Sequence, residues 1–234
     1  MGKTAETDLM VLVRSIVAGN TAKVHEIVAA SPDIVQKQAV IGASREAASE
    51  YFFPEIRHYL YGGDTALHIA AAGFKFELAQ FLIDHGARCT VKNRRGAEPL
   101  HYASDSNTWN PDAQVATIEC LIRAGANPNA LDKSGVAPIH RAVRTRCAAA
   151  VQALLSRGAK IDLPNENGST PLHLAVQNTG RGGSGRSEAI EQQRQIILLL
   201  LENGASIKKK DGSGKTVDQA ATAGWIHEVL QVRH

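Results

Sequence analysis

The sequence predicts an all-α solenoid of stacked helix–turn–helix units joined by short hairpin-like turns. Three observations predict it. A Gly-initiated hexad recurs along the 234-residue chain. A Gly-Ala pair follows each of its first four copies. Apolar clusters at helical spacing precede each Gly-Ala pair.

The hexads are Gly63-Asp64-Thr65-Ala66-Leu67-His68, Gly96-Ala97-Glu98-Pro99-Leu100-His101, Gly135-Val136-Ala137-Pro138-Ile139-His140 and Gly168-Ser169-Thr170-Pro171-Leu172-His173. A degenerate fifth copy is Gly214-Lys215-Thr216-Val217-Asp218-Gln219. Successive starts lie 33, 39, 33 and 46 residues apart. The second landmarks are Gly86-Ala87, Gly125-Ala126, Gly158-Ala159 and Gly204-Ala205. From each His to the following Gly the distances are 18, 24, 18 and 31 residues. The same excesses of 6 and 13 appear in both series, so each insertion falls inside a unit, between its two landmarks. A repeat of this period is one supersecondary unit that buries its apolar face only against its neighbours.

The hexads resemble the ankyrin-repeat motif T-P-L-H-x-A, best matched by Thr170-Pro171-Leu172-His173-Leu174-Ala175. The resemblance covers about residues 8–35 and 62–230. Glu98 and Ala137 depart from it where the family has Thr, and Ala66 where it has Pro. It implies one domain: an N-terminal cap at 8–35, an aromatic insert at 36–62, repeats at 63–95, 96–134, 135–167 and 168–213, and a C-terminal cap at 214–230.

Each element has a local cause. Asp8–Val17 and Thr21–Ala30 read as a helix pair around Ala18-Gly19-Asn20. Thr170 reads as an N-cap, Pro171 as the first helical residue, and His173 as N3. Thr216 with Gln219 forms a capping box. The repeated small residue (Ala70, Ala103, Ala142, Ala175) lets helices approach closely. Gly86, Gly125, Gly158 and Gly204 stop the second helices. The polar stretches before Gly96, Gly135, Gly168 and Gly214 read as turns. Residues 224–230 close the array with a short helix.

Composition excludes several function classes. Apolar residues are 44 % and charged residues 21 %, which is ordinary globular usage. The longest apolar run, residues 196–201, is far short of the roughly 20 residues that span a bilayer. A net charge of +3, evenly spread, shows no nucleic-acid stripe. Three unpaired-pattern cysteines, Cys89, Cys120 and Cys147, suit a reducing compartment, so a cytoplasmic location is expected. No secretory signal is visible, and Glu6 stands where a myristoylation motif wants Ser or Thr.

Enzyme signatures are absent from the sequence. Residues 180–187 come within one residue of a phosphate-binding loop, but Arg186 replaces its Lys and the stretch interrupts a helical repeat, so it reads as a flexible insertion. His68, His101, His140 and His173 sit on helices expected about 8–10 Å apart, too far to share one metal ion. No catalytic residue, metal or cofactor is expected.

The resemblance implies a binding module that uses turn tips and the concave groove. On the groove-facing positions the expected residues are Tyr102 and Arg141, with Ile69 and Leu174 in the same register, and Asp105, Arg144 and Gln177 one turn on. Arg141 and Arg144 are spaced i, i+3, a pair suited to a carboxylate. The alternative for this pair is a solvated face. The insert 36–62 holds five of the eleven aromatics, including Phe53 and Tyr59, which either face a partner or pack on the first repeat. Trp109, in the insertion 104–113, reads equally as an anchor or as cover for a neighbouring helix. Arg94 marks a turn tip, and the run Lys208-Lys209-Lys210 reads as solvated. The leading expectation is a monomeric, non-enzymatic protein-binding module whose partner carries an acidic segment. The alternatives are a small-ligand or peptide binder with the insert closing a pocket over the groove, and a scaffold spacer.

Overall fold

The computed structural model describes residues 8–105, 108–177 and 186–231. The insertions at 104–113 and 179–188 therefore fall partly, and most of the loop at 180–187 wholly, outside the described residues. The structure is a helical repeat fold, and the chain divides into two compact units, residues 1–127 and 128–234.

Unit 1 contains α1 (Asp8–Val17), α2 (Thr21–Ala30), a short 3-10 turn (Pro32–Gln36), a second one (Ser49–Tyr51), β1 (Phe52–Phe53), β2 (His58–Tyr59), α3 (Ala66–Ala72), α4 (Phe76–Asp84), α5 (Pro99–Ala103) and α6 (Pro111–Arg123). The first helices α1, α3 and α5 stack in order, and α4 packs on α6 behind them. Leu12, Ile16, Leu67, Leu82, Leu100 and Leu121 are fully enclosed between them. Strands β1 and β2 pair antiparallel, Phe52 opposite Tyr59. Unit 2 contains α7 (Pro138–Arg144), α8 (Ala148–Ser156), α9 (Pro171–Ala175), α10 (Ser187–Glu202), α11 (Val217–Ala220) and α12 (Gly224–Gln231). Here α7 packs on α9 and α9 on α11, while α8, α10 and α12 form the second row.

Two repeated devices shape each unit. The first is the histidine at N3. In α3 the His68 Nδ1 accepts from the Thr65 backbone N–H at 3.1 Å. That acceptor role leaves the ring proton on Nε2, which donates to the Ala97 carbonyl of the next repeat at 3.1 Å. His140 repeats the pattern with the Ala137 N–H at 3.0 Å and the Leu163 carbonyl at 2.8 Å. His173 does so with the Thr170 N–H at 3.3 Å and the Lys215 carbonyl at 3.2 Å. Each of these histidines thus caps its own helix and ties it to the following turn. Among the described residues no His/Cys/Asp/Glu cluster could hold a metal ion.

The second device is an Asx turn three residues before each turn glycine. Asn93 Oδ1 accepts from the N–H groups of Arg95 (2.9 Å) and Ala97 (3.1 Å). Asp132 does the same for Ser134 and Val136, Asn165 for Asn167 and Ser169, and Asp211 for Ser213 and Lys215. A short polar side chain that can mimic a backbone acceptor is what this turn requires.

The helix boundaries follow the sequence closely. Thr216 and Gln219 exchange the two bonds of a capping box, at 3.4 and 3.0 Å. Glu98 and Ala137 still start helices, because His101 and His140 accept their backbone N–H groups regardless of the side chain.

Candidate functional site

Segment 36–62 decides what the first repeats can offer. It runs back along the turn before α3: the Ala39 N–H donates to the Asp64 carbonyl, the Gly63 N–H to Ala39, and the Ala43 N–H to Leu60, each at 2.7 Å. Its apolar side chains Phe53, Ile56 and Leu60 are buried. Ile56 reaches Gly73 at the end of α3, and Arg14 of α1 lies 6.0 Å from the Phe53 ring centre. His58 packs on Tyr102 of α5, ring centres 4.4 Å apart. The insert therefore fills the space over the first helices of unit 1.

Tyr102 is only 2 % exposed. Its hydroxyl donates to both oxygens of the Asp64 carboxylate, at 2.9 Å each. Asn93 Nδ2 donates to the same hydroxyl at 2.9 Å and to Asp64 Oδ1 at 2.8 Å. The Tyr61 N–H donates to Asp64 Oδ2 at 2.6 Å. A fully enclosed carboxylate is thus met by three donors, as a buried charge demands. His68 lies 4.0 Å from Asp64, and burial nonetheless lowers its pKa below the ordinary histidine value, the carboxylate opposing that shift.

The expected site residues now separate. Tyr102 and Phe53, expected as contacts for a partner, are enclosed: the first ties the insert to the turns, and the second, 4 % exposed, packs in the core. Ile69, expected in the same groove stripe, is buried too. Asp105 is buried, its N–H bonded to the Tyr102 carbonyl at 3.1 Å. Tyr59 is half-buried against Phe52, ring centres 4.8 Å apart. Trp109 is 63 % exposed just before α6. Arg94 is exposed at a turn tip, where its guanidinium donates to the Ala43 carbonyl and lies 5.5 Å from the Tyr61 ring centre.

In unit 2, Arg141 does not await a carboxylate from outside. Its Nη2 meets Asp132 Oδ2 at 2.9 Å, and both side chains are largely buried. Burial pushes the Asp132 carboxyl up, but the Val136 N–H, Arg141 and the Ser134 N–H together hold it below its ordinary value. Arg144, one turn later on α7, is exposed and makes no ion pair among the described residues. Gln177, at the matching position after α9, is exposed as well. The expected arginine pair is split: one member braces the turn, the other faces solvent.

Two exposed features were not singled out from the sequence. Val40 is 94 % and Ile41 67 % exposed, and Lys92 stands at the neighbouring turn tip. The signal available was an apolar pair between buried alanines in a loop, too short to carry a period.

The class that this fold defines is a helical repeat protein built of stacked helix–turn–helix units. Residues 27–113 and 110–211 match the family described as ankyrin repeats, three copies. The chain belongs to the ankyrin-repeat family, as the hexads implied. Over 91 residues it is 32 % identical to a protein of Saccharomyces cerevisiae described as a probable 26S proteasome regulatory subunit p28. That match covers 38 % of this chain and 37 % of the yeast protein, so the chain spans little more than a third of that relative. Ankyrin repeats are generally protein–protein interaction modules, and the family is a non-enzymatic one. No helix among the described residues is long and apolar enough to cross a membrane.

Proposed function

We propose that this chain is a monomeric, non-enzymatic module of a reducing, cytoplasmic compartment that binds another protein through the groove-facing ends of its first helices and its turn tips. The partner contributes an acidic segment. The observation that carries this reading is Arg144, an exposed guanidinium with no ion pair among the described residues, on the same short helix as Arg141, whose charge Asp132 already meets. The fold thus satisfies one arginine and leaves its neighbour to solvent. Gln177 continues this face in the next repeat, and Trp109 offers unit 1 an exposed aromatic anchor. The likeness to a proteasome regulatory subunit is compatible with a role inside a larger assembly, scaffold or adaptor, without naming the partner. The reading with the insert closing a ligand pocket over the groove is not favoured, because Phe53, Ile56 and Tyr102 occupy that space. All three cysteine side chains are buried, which fits the compartment.

The test is affinity capture from the native cell with the wild-type chain beside Arg144→Glu. Arg144 is exposed, so the variant folds. A protein enriched by the wild type and lost by the variant supports the reading. Equal enrichment by both removes Arg144 from the site.

A further inference from the structure

One surface of unit 1 has a composition its own folding does not require. Residues 38–43 are pinned from both ends, by the Ala39 bonds to Asp64 and Gly63 and by the Ala43 bond to Leu60. Ala39 and Ala43 are buried, yet Val40 between them projects almost wholly, and Ile41 largely, into solvent. Serine or glutamine at 40 and 41 would cost the core nothing, since neither side chain packs in it. Single exposed apolar residues are ordinary, but here two adjacent branched ones form the wall of a cavity. The cavity has a volume of about 690 Å³, within the range of ligand and peptide clefts. Its other walls include Tyr51, the backbone of Gly62 and Gly63, and the cations Lys92 and Arg94; no carboxylate lines it. Arg94 is held in place by its bond to the Ala43 carbonyl, and Arg95, beside it, lies 4.4 Å from the Tyr61 ring centre. The Arg94 guanidinium is therefore held in place beside the cleft.

We propose that this cleft docks an extended acidic segment of a partner protein, seating one apolar side chain against Val40 and Ile41 and its carboxylates on Lys92 and Arg94. The two charged residues of the lining, Lys92 and Arg94, are both cations and attract carboxylates, and the Arg94 guanidinium can fix the orientation of one. The apolar pair supplies the desolvated contact that charge alone lacks. The lining comes from three separate stretches of chain, residues 40–51, 62–63 and 92–94, and a depression between such stretches suits an extended polypeptide. The site uses neither Arg144 nor Gln177, so it and the groove reading fail separately.

The experiment is a selection of displayed random peptides on the immobilised full chain, followed by fluorescence anisotropy of the enriched peptides. Ile41→Ser and Lys92→Glu alter exposed side chains and leave the fold intact. The expected result is a net-acidic consensus with one apolar residue. Its Kd rises about tenfold in Ile41→Ser, the loss of one partly buried apolar side chain, and about fivefold in Lys92→Glu. Arg144→Glu leaves it unchanged. Circular dichroism confirms that each variant is folded. The proposal is overturned by enriched peptides whose binding ignores both variants, by a basic consensus, or by no enrichment. It is overturned equally if phosphatidylserine vesicles bind with dependence on Ile41 and Lys92 while acidic peptides do not.

Discussion

Tyr102→Phe removes one oxygen atom and with it the hydroxyl's bonds to Asp64 and Asn93. The ring keeps its packing on His58 and its edge contact with His68, 5.2 Å between centres. What goes is the hydroxyl that donates to both oxygens of Asp64, a carboxylate with no exposed surface. Hydrogen bonds to charged groups contribute about 1.5–3 kcal/mol. Asp64 retains the Asn93 and Tyr61 donors, so the middle of that range, about 2 kcal/mol, is expected. Such a loss shifts the unfolding equilibrium roughly 30-fold. The assay is native-state hydrogen exchange at the amides of α3 and α5, which report opening of unit 1. Exchange there should accelerate by about the same factor. An acceleration below about threefold would refute the assignment of Tyr102 and Asp64 as the clasp that holds the insert.

Other outcomes follow from the same geometry. Asp132→Ala removes the partner of Arg141 and the acceptor for the Ser134 and Val136 N–H groups; chemical denaturation should show a loss of about 3 kcal/mol, and under 1 kcal/mol would contradict the brace. Gly168→Ala places a Cβ 2.5 Å from the Gly212 nitrogen at a φ of 72°, so a thermal melt should show at least ~2 kcal/mol of destabilisation. His68 and His140 both have pKa values lowered by burial, so the unfolded chain binds their protons first. Their contribution is complete above about 6.5, the ordinary value, and is lost as pH falls towards the folded-state values; a stability profile flat from pH 7 down to 5 would contradict this. Burial pushes the Cys89 thiol up to about 11, so it should resist thiol reagents near pH 8 until the protein unfolds.

Much of the fold was legible because each repeat solves the same local problem. The glycine and histidine spacings located α3, α5, α7 and α9, since capping and turn chemistry act over a few residues. Asp8–Val17 and Thr21–Ala30 emerged with their predicted limits. The recurring histidines stand at N3 and bond their own helix starts, as their register implied. The candidate site was less legible, because exposure depends on what lies across the surface. Tyr102 occupies a groove-facing position by register, yet the insert covers it with His58, and its hydroxyl is taken up by Asp64, 38 residues away in sequence. The Arg141 bond to Asp132 spans only nine residues, but it crosses a turn, and helix-face arithmetic ignores turns. Arg144, Gln177 and Arg94 remained exposed where register put them. Val40 and Ile41 went unnoticed because two residues in an irregular segment carry no periodic signal.

We propose that this ankyrin-repeat chain recognises a protein through the exposed first-helix ends of its repeats. Hydrogen exchange of the chain with and without its captured partner tests this most directly. Exchange should slow at the end of α7, around Thr145, and at Gln177, and the effect should be abolished in Arg144→Glu. Protection confined to the second-row helices α8 and α10 would contradict it.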